Sequence, residues 1–402
     1  MAALIDIRIV DITRAMAGPY CTMMLGDFGA DIIKVERPGS GDESRGWGPP
    51  FVGQARGPYP GQSAYFLSAN RNKRSLTVNL KSPQGQDIIR ELARVSDVLI
   101  ENYRTGVLGK MGLGFEALRT ENPRLIYCSI SGYGRTGPYK ERPGYDAIIQ
   151  AEGGMMGITG PIEGPPSRVG IPIIDITSGM FAASAILAAL LERTESGQGQ
   201  HVDVSLMDTQ AALLANVASN YLISGEPPRR QGNAHPNIAP YEPFQARDKG
   251  FMLGAANQRQ WEKLCELLGA LELKADPRFE SNQMRVEHRQ ELIQALNEIF
   301  AKKDAADWLA LLEEAGLPCG PINAVPDVFQ HPQAQARGMV QEVDHPSAGR
   351  ISLTGFPYKL SRTPAELRMA PPCLGEHNRE ILVDLLGYSD QEVDSLQEQG
   401  VI

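Results

Sequence analysis

The chain has 402 residues, enough for two or three domains, and its 42% hydrophobic against 22% charged residues is the balance of an ordinary globular protein. A net charge of −9 excludes a general nucleic-acid binder and leaves room only for local basic patches. Five scattered cysteines without a CxxC pair and six dispersed histidines exclude a disulfide framework and a zinc site of recognisable spacing, so no metal is expected.

The start, "MAALIDIRIVDITRA", lacks the layout of a signal peptide and runs directly into a strand-type segment, "IRIVDIT". A small-residue helix, "AGPYCTMMLGDFGA", follows, then a second strand, "DIIKVERP". The cycle repeats with "SLTVNL", the helix "SPQGQDIIRELARVS" with Ser82 as cap and Pro83 in its first turn, and the strand "DVLIENY". "RLIYCSISGYG" is a further apolar strand, and "SGMFAASAILAALLERTESG" a long helix stopped by Gly197, before the strand "QHVDVSL". Strands alternating with helices predict βαβ units around a largely parallel sheet.

The texture changes after Ser224. "GEPPRRQGNAHPNIAPYEPF" carries too many helix and strand breakers for a regular element. The strand "GFMLGAA" and the helices "QRQWEKLCELLGA" and "RQELIQALNEIFAKK" predict a smaller α/β domain. Strands return in "GMVQEVDHP" and "RISLTGFPYKL", and a helical tail begins at "GEHNREIL". No uninterrupted apolar run reaches the length of a membrane span, so a soluble, cytoplasmic protein with no membrane partner is expected.

Two features bear on function. In "GIPIIDITSGM", Asp175 stands alone between an apolar run and a helix start, with no His, Cys or second carboxylate beside it. A lone Asp there reads first as an N-cap. Secondly, Arg37 follows Glu36 at a strand end, and "NRNKRS" adds Arg71, Lys73 and Arg74, with Lys81 and Lys110 downstream. Basic residues at successive strand ends suit a ligand with several phosphates; individually they read as solvated charges. Gly18, Gly26 and Gly29 do not make G-x-G-x-x-G, so no NAD is expected.

Taken together, "AGPYCTMMLGDFGADIIKVERPGSGDESRGWGPP", "NRNKRSLTVNLKSPQG", "ENYRTGVLGKMGLGFE", "RPGYDAIIQAEGG", "GQGQHVDVSLMD" and "LGEHNREIL" resemble the class III CoA-transferase family over essentially the whole chain. "WGPPFVG", "AHPNIAPYEPF" and "GPINAVPDVF" are most similar to its glutaryl-CoA type. The resemblance implies a Rossmann-like large domain built from both chain ends (1–223 and 329–402), a smaller α/β domain (224–328), and an interlocked homodimer. It also implies that coenzyme A, as acyl-CoA, is a substrate and that a free carboxylic acid is its partner. Asp175, with Ser178 and Gly179, matches the family's "D-x-x-[ST]-G" nucleophile setting, in which one carboxylate carries the acyl group between two steps without ATP or metal.

Further contacts follow from the match position by position. Ala15, Met16 and Ala17 match the turn against the CoA thiol arm; Arg37, Val78 and Lys81 match residues around the adenine and its phosphates; Asn102 and Tyr103 match a pantetheine-contacting pair. Lys110 stands where the family shows an Arg, and Met16 where formyl-CoA transferases use a Gln. The loop 232–240, with Gly232, Asn233 and His235, falls where those enzymes have a glycine-rich loop, and is the expected source of oxyanion donors. For a second carboxylate on the substrate, Arg168 and Arg45 are the candidate partners, with a surface or structural ion pair as the other reading of each.

Two other functions fit the same resemblance. A racemase or isomerase of the family uses a His and an Asp on the two faces of an acyl-CoA; that His aligns with Tyr145, and a phenol with a pKa of about 10 is a poor general base. A non-catalytic acyl-CoA-binding subunit would have no chemical reason to keep Asp175.

Overall fold

The computed structural model describes residues 2–55 and 57–402, which form two compact units. The first consists of Met1–Met155, Val169–Ile223 and Pro332–Ile402, the second of Met156–Arg168 and Ser224–His331.

A six-stranded parallel sheet organises the first unit: β1 (Arg8–Asp11), β2 (Asp31–Glu36), β3 (Lys73–Thr77), β4 (Val98–Glu101), β5 (Ile126–Ser131) and β6 (His201–Ser205). Their spatial order is 3-2-1-4-5-6, that of a doubly wound Rossmann sheet. Ile9 lies between Ile32 and Val98 in the register, so alternate residues face opposite sides of the sheet.

Both sides are apolar because both are covered, which is why the strands read as near-continuous hydrophobic runs. Val10, Ile33 and Leu99 meet Ile88, Ile89 and Leu92 of α2 (Pro83–Arg94), whose start is capped by Ser82 as the sequence predicts. The same cluster takes in Ile381 and Leu382, Val393 and Leu396 of α10 (Asp390–Glu398), and Val401. Ile9, Ile32, Val98 and Ile100 pack on the other side against α1 (Ala17–Asp27) and α4 (Ile173–Ser196). Gly197 ends α4 in the left-handed conformation at φ 72°.

α4 is longer than its sequence suggests. It spans 24 residues, with a mean hydropathy of 1.8 over its most apolar 18, enough by length and composition alone to cross a membrane. Ala182, Ala183, Ile186 and Leu190 along it are buried in the sheet's core. Between β5 and α4 lies the short α3 (Asp146–Glu152); after β6 come α5 (Leu206–Leu213) and α6 (Ala215–Ser224).

In the second unit an antiparallel sheet of β7 (Tyr241–Gln245), β8 (Gly250–Gly254) and β9 (Cys319–Pro321) carries the helices α7 (Gln258–Leu268), α8 (Arg289–Phe300) and α9 (Ala305–Glu314). Its core joins Phe244, Phe251, Trp261, Leu296, Phe300 and Trp308. The segment Met156–Arg168, which the sequence reading leaves in the large domain, belongs here. Arg230 ties it in by donating to the carbonyls of Pro161 (3.1 Å) and Gly164 (2.8 Å).

Candidate active site

The strand order reverses between β1 and β4, and ligands of open α/β sheets bind outside the carboxyl ends of the strands at such a switch point. The turn after β1 is held there from three sides. Lys34 donates to the carbonyl of Thr13 (3.1 Å) and to Asp42 (2.9 Å). Asp42 in turn accepts from the N–H of Ala15 (3.1 Å). The Asn102 amide clasps Arg14, accepting from its N–H (3.0 Å) and donating to its carbonyl (2.8 Å). These bonds hold Ala15 at φ 68°, a left-handed conformation that costs a non-glycine residue roughly 1–2 kcal/mol. Asn102 is therefore a support of the turn.

Beneath the turn, burial alone would raise the carboxyl of Asp11, but Lys73 and Lys34 and the hydroxyls of Thr13 and Thr22 hold it down to about 2. A buried carboxylate kept charged in this way ties α1 to the sheet, through Thr22 of the helix and Lys73 of β3.

Asp175 is set by α4. It is not the N-cap that its sequence setting suggests: the helix begins at Ile173, Pro172 occupies the cap position, and Asp175 lies in the first turn. The cap comes from elsewhere in the chain. Asp146, the first residue of α3, accepts from the N–H groups of Ile174 (2.8 Å) and Asp175 (3.2 Å), and Gln150 donates to its other oxygen (2.6 Å). Pro172 has no side-chain acceptor, so the orphan N–H groups of the first turn take a carboxylate 28 and 29 residues away. One turn beyond Asp175, a Cβ on Gly179 would lie 2.5 Å from the carbonyl oxygen of Ala17. The glycine of the "D-x-x-S-G" setting thus lets α4 touch α1 backbone to backbone, which brings Asp175 to the 15–17 turn.

The carboxyl of Asp175 is raised to about 7, first by burial and then by the charge of Asp146. Among the described residues none donates a hydrogen bond to its side chain to offset this. Tyr65, in the first turn of the short helix Ala64–Leu67, feels the same charges: burial, then Asp175 and Asp146, push its phenol up to about 12.

Two cavities meet here and share Arg14, Glu43 and Tyr103 in their walls. The smaller, about 160 Å³, is lined by Ala15, Met16, Ala17, Asn102, Tyr145 and Asp175. The larger, about 670 Å³, runs over the ends of β2 and β3 and is lined by Arg37, Val78, Lys81 and Tyr103. Asp175 thus lines the smaller cavity, and Arg37 and Lys81 line the larger one that adjoins it. Lys110 is exposed at the end of the helix Val107–Lys110, whose first residue, rather than the lysine, lines the larger cavity.

The other predicted cations have different employment. Arg71 forms a bidentate pair with Asp27, Lys73 is wholly buried on Asp11, and Arg74 pairs with Asp31 and Glu380. Arg45, expected as a candidate carboxylate clamp, is buried with Nε and Nη2 donating bidentately to Glu36 and a further bond from Nη2 to the carbonyl of Pro372. That same pair consumes Glu36, the acid at the end of β2. Each charge is buried with a partner because an unpaired one would be far costlier.

Tyr145 is 66% exposed at the start of α3. In the second unit, His235 is half-buried, stacks on Tyr241 at 5.3 Å and accepts from the N–H of Asn237. Its carbonyl accepts from Arg289, so this part of the loop is anchored; Gly232 and Asn233 remain exposed. Arg168 also lies in this unit.

Sequence reasoning missed Asp146, Tyr65 and Arg14. Asp146 follows Tyr145 directly, and an Asp opening a helix after "RPGY" passes for that helix's own first-turn acid. Arg14 stacks its guanidinium 5.1 Å over the Tyr103 ring, between the two cavities.

The chain is similar to known proteins along nearly its whole length. Succinyl-CoA:glutarate CoA-transferase of Mus musculus is 45% identical over 402 residues, covering 100% of this chain and 91% of its own. Succinate–glutarate CoA-transferase of Agrobacterium fabrum is 44% identical over 379 residues, 94% of each chain. The crystal structure of a CAIB/BAIF family protein from Brucella suis superposes with a TM-score of 0.83 at 43% identity, covering 96% of this chain and 99% of that one. The sequence profile described as CoA-transferase family III matches residues 4–378, and with a parallel sheet, switch-point channel and relatives of this extent the chain belongs to that family.

Proposed function

We propose that the protein transfers CoA from succinyl-CoA, or another dicarboxylyl-CoA, to a free dicarboxylic acid of glutarate size, with Asp175 as nucleophile. The observation that carries this reading is the half-buried carboxylate of Asp175 in a cavity that shares its wall with a larger one lined by Arg37 and Lys81. The larger cavity suits the nucleotide of CoA, and the smaller one the thioester.

An Asp175 oxygen attacks the thioester carbon and the C–S bond breaks, giving a mixed anhydride and the CoA thiolate. The thiolate attacks the aspartyl carbon, the donor acid leaves as its carboxylate, and CoA is held as an enzyme thioester. The acceptor carboxylate displaces the thiolate to form a second anhydride, and thiolate attack on its acyl carbon restores Asp175. Bonds exchanged are alike in number and kind, so no external energy source enters. The substrate's distal carboxylate needs a cation. Arg14 and Arg104 from the cavity wall are the proposed partners, in place of Arg45.

The working unit is a homodimer. Phe181 and Leu191 on α4 and Leu222 and Ile223 on α6 are 47%, 72%, 79% and 87% exposed, an apolar surface that favours a second copy.

Acceptor competition tests the substrate class. With succinyl-CoA as donor and products read by mass spectrometry, glutarate is expected to exceed butyrate in kcat/KM by at least tenfold, about 1.4 kcal/mol. A preference for butyrate or oxalate refutes it. Asp175→Ala is expected to abolish turnover, and hydroxylamine is expected to trap acyl-Asp175 in the unaltered enzyme; a mutant with near-normal turnover removes the nucleophile assignment.

A further inference from the structure

The carboxylate of Asp146 stands in an unusual place: the acid that caps α4 also faces the acid that α4 presents. Three hydrogen bonds converge on it, two from the backbone of the nucleophile's turn and one from Gln150. Gln150 is itself fully buried, and its carbonyl oxygen accepts from the N–H of Val169 (2.9 Å). An acid fixed this firmly cannot swing away from Asp175 when that residue ionises.

Other charged groups border the same cavity. Arg14 and Glu43 come from the segments after β1 and β2, Arg104 from that after β4, and Lys140 and Arg142 from the segment after β5. The four cations among them are exposed, and Arg142 is shared with Glu152. Exposed charges are screened by water and salt, whereas a buried carboxylate is not, so Asp146 sets the local field. The neighbouring phenol of Tyr65, pushed up to about 12 by burial and then by Asp175 and Asp146, is uncharged at neutral pH.

We infer, resting on the assignment of Asp175 as nucleophile, that Asp146 is a positioning residue with two effects: it caps the helix that aims Asp175, and its charge disfavours the free carboxylate of Asp175 relative to the neutral acylated states. When the Asp175 oxygen bonds to the acyl carbon and the C–S bond breaks, the negative charge leaves on the CoA sulfur, away from Asp146. The mixed anhydride and the aspartyl thioester are both uncharged at Asp175, so each is relieved of the repulsion that the resting enzyme carries. Asp146 thus spreads the cost of the covalent intermediates by destabilising the state before them. The raised titration of Asp175 agrees with this geometry.

The test separates cap from charge. Asp146→Asn keeps an oxygen for the N–H groups of Ile174 and Asp175 and removes the charge. Its Nδ2 would face Gln150 Nε2, so the comparison is made in a Gln150→Met background, with Asp146 in that background as the control. Single-turnover acylation is followed against pH by hydroxylamine trapping and the mass of the Asp175 peptide. The midpoint of the acid limb is expected to move at least about half a pH unit toward acid in the Asn variant. Its rate at pH 8 is expected within about threefold of the control, while Asp146→Ala, which loses the cap, falls tenfold or more. An unmoved midpoint with trapping intact overturns the inference and leaves Asp175 as nucleophile. Equal losses in the Asn and Ala variants without a midpoint shift also overturn it, since a purely structural role predicts that. Absence of any Asp175 adduct in the unaltered enzyme instead overturns the nucleophile assignment.

Discussion

Burying a carboxylate beside another carboxylate gives Asp175 a titration that the fold itself has to bear. Its folded pKa is about 7 against an ordinary value of 3.8, raised by burial and then by Asp146. Between these values the folded state holds a proton that the unfolded chain has already lost, so stability falls as pH rises through the window and the penalty is complete above about pH 7. Asp175→Asn, which cannot ionise, is therefore expected to raise the Tm by a few degrees at pH 8 and to leave it unchanged near pH 4; calorimetry at the two pH values measures the difference. An equal gain at both would mean that the substitution improves packing and that the charge is not the cost. Activity follows the opposite sign: kcat/KM is expected to rise with pH along a limb centred near 7, because the attacking form is the carboxylate.

At the scale of elements, the reacting geometry is a contact between two helices. Gly179 allows it, and a methyl group there would meet the Ala17 carbonyl at 2.5 Å, backbone against backbone, so α4 has to shift. Gly179→Ala is expected to cost about 1–3 kcal/mol of stability and to lower kcat by tenfold or more, with the KM for acyl-CoA changed less than threefold, since the larger cavity lies over β2 and β3. Steady-state kinetics decide it; a normal kcat would show that the approach of α1 and α4 does not aim Asp175. The same elements show what a sequence discloses. Strand and helix alternation is visible because strands buried on both faces are written as apolar runs, and Ser82–Pro83 announces α2 within the helix's own neighbourhood. The start of α4 is not visible, since its cap is Asp146 and no local signal links the two. Nor is the fate of "NRNKRS" visible: Arg71 finds Asp27 at the end of α1, Lys73 and Arg74 find Asp11 and Asp31 on other strands, and only the fold reveals that these cations are spoken for.

For the whole molecule, the proposed homodimer rests on apolar surface that one chain leaves on α4 and α6. Replacing Leu191 and Leu222 by Glu is expected to halve the sedimenting mass from twice 43.8 kDa to one chain; an unchanged dimer would place its interface elsewhere. A further consequence attaches to Ile381, Leu382, Val393 and Leu396, which share a core with strands laid down at the beginning of the chain. A ribosome works in one direction. After it has emitted β6, about 176 more residues have to be made before Ile381 arrives, and at about 5–20 residues per second that takes on the order of ten seconds or longer. Most of the second unit lies within that interval as one continuous stretch, Ser224–His331, with a core of its own. The order of birth is thus inverted: the middle of the chain is free to fold on the ribosome, while one face of the earlier-made sheet, covered so far by α2 and its neighbours, waits for Ile381, Leu382, Val393 and Leu396 to complete its core.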